Sequence, residues 1–269
     1  MTTGTSAQQI EFFSWRKADS LPNKFCVRMK LFAIPYAGGN SYCYRPLSAA
    51  VHNEIQWETL ELPGRGKRLG EVLLGTIEDI AADVLKQIEN QRFSAFALFG
   101  HSMGGLVAHR VAMMIQSNSR RAHALTHLIL SGCRPPQFLD RGEGRASLSR
   151  EELIIAIEKL GGLPAVIRQD EEMMAFFEPI LRADFGAVDQ YRVDKPICLD
   201  VPGMVLSGRD DQEVTSEHIS GWRGAFNRTP EFHELPGQHF YFADQSETIG
   251  ALISAFVLDK GSHQGGIVE

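Results

Sequence analysis

Along the chain, short apolar runs alternate with stretches whose apolar residues recur every three to four positions. The short runs have the length of strands, and they are apolar at successive positions, as in strands that are buried on both faces of a parallel sheet. Alternation of strands and helices of this kind predicts an α/β fold with a mostly parallel sheet. The predicted strands cover 31–34, 57–62, 96–99, 128–130 and 204–206.

Amphipathic helices are predicted between these strands. The first has its apolar residues on one face from Ile77 to Ile88, with Thr76 as the N-cap. The second stripe runs over 103–115 and the third over 249–257. We expect these helices to pack on the faces of the sheet.

The alternation stops over residues 136–199, where the pattern predicts helices and no strand. Ser149 and Glu152 have the spacing of a capping box at the start of one helix. A second helix is predicted after Asp170, and Pro179 is expected to kink or restart it. This segment therefore reads as a helical insertion between two strands.

Composition and charge narrow the class of protein. The chain has 269 residues, of which 43% are hydrophobic and 22% charged, which suits one large globular domain. A net charge of −6 argues against a general binder of nucleic acid or anionic membrane. The sequence has neither an apolar run of membrane-spanning length nor the apolar segment of a signal peptide, so we expect a cytoplasmic protein.

Metal and cofactor motifs are not found in the sequence. The four cysteines form no CxxC pair, which favours free buried thiols over a zinc or redox site. The segment 64–68 has the look of a phosphate-binding loop but lacks the GxxxxGK[ST] pattern, and no GxGxxG follows a strand. We therefore predict no metal and no cofactor.

The most informative motif is Gly100-His101-Ser102-Met103-Gly104, which fits the pattern GxSxG. A predicted strand runs into it and a predicted helix follows it. This context places the serine on a sharp turn, with its hydroxyl clear of the backbone and at the positive end of the helix dipole. We predict that Ser102 is a nucleophile and that the fold is an α/β-hydrolase fold.

A serine hydroxyl needs a base that takes its proton, and in this fold the acid and then the histidine follow the serine along the chain. His239, between a strand end with a turn and the last helix, is the predicted base. The acid is expected in the loop after 204–206, where Asp211 fits the pattern Gly-x-x-Asp-x-x-Val and Asp210 stays open as the alternative. We expect His101 to orient the serine turn.

The tetrahedral intermediate of acyl transfer needs two N–H donors that converge on its oxygen. One is expected to be the backbone N–H of Met103, the residue after the serine. The other is expected in the Gly-rich loop 35–39, where glycines let the backbone approach a substrate closely. We choose the N–H of Ala37 and keep Gly38 as the alternative.

These predictions divide the chain into four parts. They are an N-terminal extension at 1–29, an α/β-hydrolase core at 30–135 and 200–260, a helical lid insertion at 136–199 and a flexible tail at 261–269. Insertions of this kind commonly gate active sites, whereas a helix pair that only packs is the alternative. The Met- and Phe-rich stretch 173–177 is then either helix core or the wall of an acyl tunnel.

Several stretches together resemble the external, or type II, thioesterases that accompany nonribosomal peptide and polyketide synthases. They lie, in order, between about 30 and 255, and one of them, in the insertion, is more specific to the family than the serine motif. These stretches are Phe32-Ala-Ile-Pro-Tyr-Ala-Gly-Gly, Leu62-Pro-Gly-Arg-Gly-Lys-Arg, Gly100-His-Ser-Met-Gly-Gly, Pro179-Ile-Leu-Arg-Ala-Asp-Phe and Gly237-Gln-His-Phe.

The resemblance implies an editing hydrolase that releases stalled or mis-loaded acyl groups from the phosphopantetheine arm of acyl and peptidyl carrier proteins. It implies Ser102, His239 and Asp211 as nucleophile, base and acid, Met103 and Ala37 as oxyanion donors, and no cofactor. Carrier proteins would be the partners of a chain that we expect to be a monomer, with no nucleic acid or membrane.

One departure from the family lies in the helix after the serine. The family usually has Ala-x-x-Phe/Tyr-Glu there, whereas this chain has Leu106-Val-Ala-His-Arg-Val. Because that helix touches partners in the family, the departure bears on the choice of partner and leaves the mechanism unchanged.

The triad motifs also fit other activities. An oxygen-ester hydrolase of small metabolites or lipids would use the same residues, and a cyclising terminal thioesterase is a further rival. A non-catalytic binding protein on this fold would typically lack a member of the triad. Here all three roles can be filled, which favours an enzyme.

Overall fold

The computed structural model describes residues 29–118, 124–139, 144–162, 165–193 and 197–259. The predicted extension, apart from Met29, and the predicted tail lie outside the described residues. The described part of the chain contains an α/β fold, as the alternation predicts.

The centre of the fold is a parallel sheet of six strands in the order β2-β1-β3-β4-β5-β6. Its strands are β1 (Met29–Ile34), β2 (Ile55–Thr59), β3 (Phe96–His101), β4 (Leu125–Ser131), β5 (Gly203–Gly208) and β6 (Glu231–Leu235). The strands at the edges of the sheet are less buried than those inside it. Every residue of β3 and β5 is buried, whereas most residues of the edge strand β6 are exposed or half-buried. For this reason no apolar run marks β6 in the sequence.

The predicted strand at 57–62 is wrong in its boundaries, because β2 begins at Ile55 and ends at Thr59. Leu60 and Leu62 are almost fully buried, in the same core cluster as the residues of the helix that follows. Their apolar character therefore comes from burial beyond the end of the strand, which a pattern of apolar residues alone does not distinguish from strand.

Helices cover both faces of the sheet, which explains why the inner strands are apolar at successive positions. The described helices are α1 (Arg45–Ala50), α2 (Ile77–Glu89), α3 (Met103–Gln116), α4 (Arg150–Leu160), α5 (Ala165–Arg168), α6 (Glu171–Gln190), α7 (Ser216–Ser220) and α8 (Ser246–Leu258). On β1, Phe32 faces the core shared with α2 and α3, whereas Leu31 faces the core shared with α1 and α8. None of the described helices is long and apolar enough to cross a membrane.

The local signals at the helix ends are confirmed. Thr76 caps α2, since its side chain accepts a hydrogen bond from the N–H of Asp79 at 3.1 Å. Ser149 and Glu152 form the predicted capping box at the start of α4. Each cap satisfies N–H groups that have no partner inside the helix.

Between β4 and β5, the described residues form α4, α5, α6 and two short 3-10 turns, and they contain no strand. The helix α6 starts after its N-cap Asp170 and runs through Pro179, so the alternative of a restart at the proline is wrong. Leu153 on α4 and Leu181 on α6 belong to a small apolar cluster that is separate from the two main cores. The inserted helices thus pack on each other and lie over the carboxyl ends of the strands.

Candidate active site

Ser102 lies on the turn between β3 and α3. Its φ is 54° and its ψ is −122°, and it is the only residue other than glycine with positive φ in the described part of the chain. A Cβ at Gly100 would overlap the carbonyl group of Gly104, and a Cβ at Gly104 would overlap that of Ile34. The turn is therefore strained and tightly packed, which requires glycine on both sides of the serine.

The structure brings Ser102, His239 and Asp211 into one chain of hydrogen bonds. His239 Nε2 lies 3.1 Å from Ser102 Oγ, and His239 Nδ1 lies 2.8 Å from Asp211 Oδ2. If Nδ1 donates its proton to the carboxylate, Nε2 is left as the acceptor for the serine proton. His239 and Asp211 are both buried.

Of the two candidate acids, only Asp211 reaches the histidine. Its Oδ1 also accepts hydrogen bonds from the N–H groups of Glu213 at 2.8 Å and Val214 at 3.1 Å, so the carboxylate is held on both oxygens. Asp210 is exposed, and its Oδ2 accepts a bond from the N–H of Gly237 at 3.3 Å. Asp210 therefore contacts the backbone of the turn and does not bond to the imidazole.

Backbone contacts between two loops set the acid and the histidine opposite each other. The N–H of Asp210, in the loop after β5, donates to the carbonyl of Gly237, in the loop after β6, at 2.9 Å. Gly237 has a φ of 119°, a conformation that residues other than glycine rarely adopt. The glycine thereby turns the chain so that His239, two residues later, faces the serine.

The predicted oxyanion donors, Ala37 and Met103, line the same small cavity as Ser102 and His239. Among the described residues, the N–H groups of Ala37 and Met103 have no hydrogen-bond acceptor. The alternative donor Gly38 is occupied, since its N–H donates to Asp184 Oδ2 at 2.7 Å. Two unsatisfied N–H groups beside a serine hydroxyl have the chemistry of an oxyanion hole.

His101 supports the serine turn from below, as its position in the motif predicts. Its side chain is fully buried, and its Nδ1 lies 2.9 Å from Ser131 Oγ, which in turn lies 2.6 Å from the hydroxyl of Tyr241. Burial, with a smaller effect of His239, holds the pKa of His101 well below its usual range. The ring is therefore neutral at pH 7, and its centroid lies 4.9 Å from that of His239, with the two rings tilted by 55°.

Cavities extend from Ser102 in two directions. One of about 80 Å³ runs between α3 and α6, past Leu106 and Val188. Another of about 280 Å³ runs between the Gly-rich loop and the inserted helices, past Tyr42 and Phe177. Within the stretch 173–177, Met174 is helix core, as one of the two interpretations predicts, and Phe177 lines this cavity.

A third cavity, of about 470 Å³, reaches His239 from the side of α4. Its wall is mostly apolar, with Leu148 and Ile155 of the insertion, and polar side chains such as Lys159 and Gln238 line the rest. The histidine is thus accessible from a side that differs from the approach to the serine.

A buried ion pair beside the site was not predicted from the sequence. Arg65 donates from Nη1 to Asp184 Oδ2 at 2.5 Å and from Nη2 to Asp184 Oδ1 at 2.8 Å, and both side chains are almost fully buried. The signal was present in the sequence, because Asp184 stands at helical spacing among the apolar residues Leu181, Phe185 and Val188. A charge on the apolar face of a helix is rare unless it is paired.

The residue His109, where the chain departs from the family, lies inside the fold. Its side chain is 3% exposed and its ring packs edge-on against that of Trp222, 5.0 Å away. Arg110, the next residue, remains partly exposed and lies 3.9 Å from Glu78. Of the two residues at which the sequence predicts a departure from the family pattern, His109 therefore affects the packing beneath α3, whereas Arg110 reaches the surface of that helix.

A parallel sheet between helices, with a serine on a strained turn and a histidine and an aspartate on later loops, defines an α/β-hydrolase with a site of the Ser-His-Asp type. Comparison with known proteins defines the family. The thioesterase domain family matches residues 29–257, and the chain belongs to it. It is a thioester hydrolase of that family.

The individual relatives are biosynthetic proteins. The gramicidin S biosynthesis protein GrsT of Aneurinibacillus migulanus is 33% identical over 80% of this chain and 83% of its own length. The structure of RedJ, a thioesterase from the prodiginine pathway of Streptomyces coelicolor, matches with a TM-score of 0.76 at 30% identity, over 88% of this chain and 96% of that one. The structure of BorB, a type II thioesterase from the borrelidin biosynthetic cluster, matches with a TM-score of 0.76 at 28% identity, over 85% and 92% of the two chains.

Proposed function

We propose that this chain removes acyl groups from the phosphopantetheine arm of carrier proteins in nonribosomal peptide or polyketide synthesis, as a type II, editing thioesterase. The observation that carries the proposal is the pair of hydrogen bonds that joins Ser102, His239 and Asp211 in a protein of the thioesterase domain family. The relatives named for such pathways support the substrate class.

In the proposed reaction, His239 Nε2 takes the hydroxyl proton of Ser102 as Oγ attacks the thioester carbonyl carbon. Asp211 holds the imidazole in the required tautomer and stabilises the imidazolium that forms. The C–S bond then breaks, the imidazolium protonates the leaving thiolate, and the acyl group remains on the serine as an ester.

The second half of the reaction releases the acid. His239 takes a proton from water as the water oxygen attacks the acyl-serine carbonyl, and the proton then returns to Ser102 Oγ as its bond to the acyl carbon breaks. The cavity of about 470 Å³ that reaches His239 from the side of α4 supports a route for this water that avoids the acyl group. In both halves the N–H groups of Ala37 and Met103 would stabilise the negative oxygen, and no metal or redox cofactor is required.

The two cavities at Ser102 suggest where the parts of the substrate lie. The cavity beside the Gly-rich loop opens between core and insertion, and it suits the long, flexible pantetheine arm. The cavity between α3 and α6, of about 80 Å³, has room for only a short acyl group. In this proposal the insertion at 136–199 acts as a lid, because its helices form walls of both cavities.

The test is the intact mass of an acetyl-loaded, phosphopantetheinylated carrier protein after incubation with the enzyme. Loss of the acetyl group with the wild type, and retention with Ser102→Ala, is the expected result. An oxygen ester of the same acyl group, presented on a small alcohol, serves as the comparison substrate. Hydrolysis of that ester while the carrier keeps its acetyl group would favour the oxygen-ester hydrolase instead.

A further inference from the structure

The Gly-rich loop beside Ser102 is held from two directions by buried or partly buried charges. From one side, Asp184 on α6 accepts the N–H of Gly38 at 2.7 Å. From the other side, Glu61 accepts the backbone N–H of Ser41, two residues after the loop, at 3.0 Å and its hydroxyl at 2.8 Å. The two glycines of the loop allow its backbone many conformations, and these contacts restrict it to one.

Asp184 uses both carboxylate oxygens. Oδ2 accepts from Gly38 and from Arg65, and Oδ1 accepts from Arg65 alone. The side chain has no exposed surface, and the two-pronged guanidinium contact fixes the plane of the carboxylate. Arg65 therefore pairs with the carboxylate and holds one of its oxygens towards the loop.

The contact with Gly38 acts on the neighbouring peptide units. Gly38 has a φ of 77°, and the N–H of Gly39 closes a tight turn on the carbonyl of Tyr36 at 2.8 Å. That carbonyl belongs to the same peptide unit as the N–H of Ala37, so the turn fixes the direction of the Ala37 N–H. A Cβ at Gly38 would come within 2.7 Å of Leu181 Cδ2, which shows how closely α6 lies on the turn.

We propose that Asp184 is a positioning residue that acts through Gly38 to direct the N–H of Ala37 at the substrate oxygen, with Arg65 as the group that holds Asp184 in place. This proposal rests on the proposed function in so far as Ala37 is an oxyanion donor. In this proposal α6, a helix of the insertion, holds one donor of the oxyanion hole in place. A displacement of α6 that breaks the bond to Gly38 would misdirect the N–H of Ala37 and lower the reactivity of Ser102 without moving the serine.

Loss of one member of a buried ion pair leaves the other charge unpaired, so single variants test folding as much as catalysis. Two double variants avoid this difficulty. Arg65→Met with Asp184→Asn removes both charges and keeps an oxygen that can accept from Gly38. Arg65→Met with Asp184→Leu removes both charges and the acceptor.

The expected result is a loss of kcat of about tenfold or more in the Leu double variant relative to the Asn double variant, with KM changed by less than about threefold. The rate of phosphonylation of Ser102 by a fluorophosphonate should fall in parallel, because the phosphoryl oxygen needs the same N–H groups. Equal kcat values and equal phosphonylation rates in two folded double variants would overturn the proposal.

Asp83→Asn is the matched control for the loss of an ion pair. Arg68, three residues after Arg65, makes the same two-pronged contact with Asp83, at 2.6 and 2.8 Å. Neither residue bonds to the Gly-rich loop, and the bond from Arg68 Nη1 to the carbonyl of Glu61, at 3.0 Å, does not involve the Asp83 side chain. This variant should keep kcat within about twofold of the wild type even where its melting temperature falls. A loss of kcat in Asp83→Asn as large as in the Leu double variant would assign the effect to stability and contradict the positioning role.

The phosphonylation assay also separates this proposal from the proposed function. It needs Ser102 and the oxyanion donors but no carrier protein. A wild type that is phosphonylated at Ser102 and leaves acetyl-carrier intact would refute the carrier substrate, while the comparison of the two double variants would still decide the role of Asp184.

Discussion

Asp211 Oδ2 lies 2.8 Å from Nδ1 of His239, whereas the carboxylate of Asp210, its neighbour in sequence, bonds to a backbone N–H of the next loop. Two adjacent aspartates thus have separate roles: one meets the imidazole and the other holds the turn that presents it. The difference arises from the direction of the side chains, because both residues lie on the same loop after β5.

The first prediction compares the two aspartates. Asp211→Asn should lower kcat for thioester hydrolysis by about 10²–10⁴-fold, because the amide neither holds the productive tautomer nor stabilises the imidazolium. Asp210→Asn should keep kcat within about threefold, since an amide oxygen can still accept from Gly237. Steady-state kinetics on one acyl thioester tests both, and equal losses in the two variants would mean that the acid is misassigned.

The second prediction concerns the packing of the serine turn. Gly104→Ala should destabilise the protein, because the new Cβ would overlap the carbonyl of Ile34 on β1. Overpacking of this kind costs about 1–3 kcal/mol in free energy of unfolding, or more where backbone must move. Thermal unfolding should show a melting temperature lower by about 2–12 °C.

Gly75→Ala is the matched control for that change. A Cβ at Gly75 meets nothing within 4 Å, so its melting temperature should stay within about 2 °C of the wild type. An unchanged melting temperature in Gly104→Ala would show that β1 and the turn have room that the structure does not give them.

Local signals account for what the sequence predicts well. The serine turn is a contiguous motif between a strand and a helix, and His239 and the caps of α2 and α4 are read from their immediate neighbours. The choice between Asp210 and Asp211, or between Ala37 and Gly38, depends on the direction of a side chain or an N–H, which spacing does not encode. A fold is needed to decide those two.

Contacts between distant segments account for what the sequence does not predict. Arg65 and Asp184 are 119 positions apart, and nothing in the local pattern of either residue names the other. The end of β2 is missed for a related reason, since Leu60 is buried in the core cluster that includes α2 after the strand has ended. The apolar pattern reports burial, whereas the partner that causes burial is a property of the whole fold.

The third prediction is a loss of stability in mild acid that depends on His109. Burial, with a smaller effect of Arg110, lowers the pKa of His109 to about 4, against an ordinary value of 6.5. The folded state therefore keeps the ring neutral while the unfolded state takes up a proton, so stability is full above pH 6.5 and falls as the pH drops towards 4. At pH 4 this group lowers the free energy of unfolding by about 3 kcal/mol at most.

His109→Phe should remove that part of the pH dependence, because a neutral ring against Trp222 has no proton to gain. Denaturant unfolding at pH 7 and pH 4.5 gives the two free energies of unfolding for the variant and the wild type. His52→Gln, at an exposed position, is the control and should leave the difference between the two pH values unchanged. A wild type and a His109→Phe variant with the same difference would contradict the burial of a neutral imidazole at this site.

The last prediction tests whether the small cavity limits the acyl group. Val188 on α6 lines the cavity of about 80 Å³ beside Ser102, so Val188→Ala should enlarge it where a longer acyl chain would enter. One additional methylene in an apolar pocket is worth about 1–3 kcal/mol of discrimination. The ratio of kcat/KM for hexanoyl over acetyl thioester should therefore rise by about tenfold or more.

Val193→Ala is the matched control, because it removes the same two methyl groups. Val193 is half-buried against the main core and lies outside the walls of the cavities at Ser102, so this variant should leave the ratio within about twofold of the wild type. If both variants raise the ratio equally, a general loosening of the inserted helices sets the acyl selectivity, and the wall at Val188 does not.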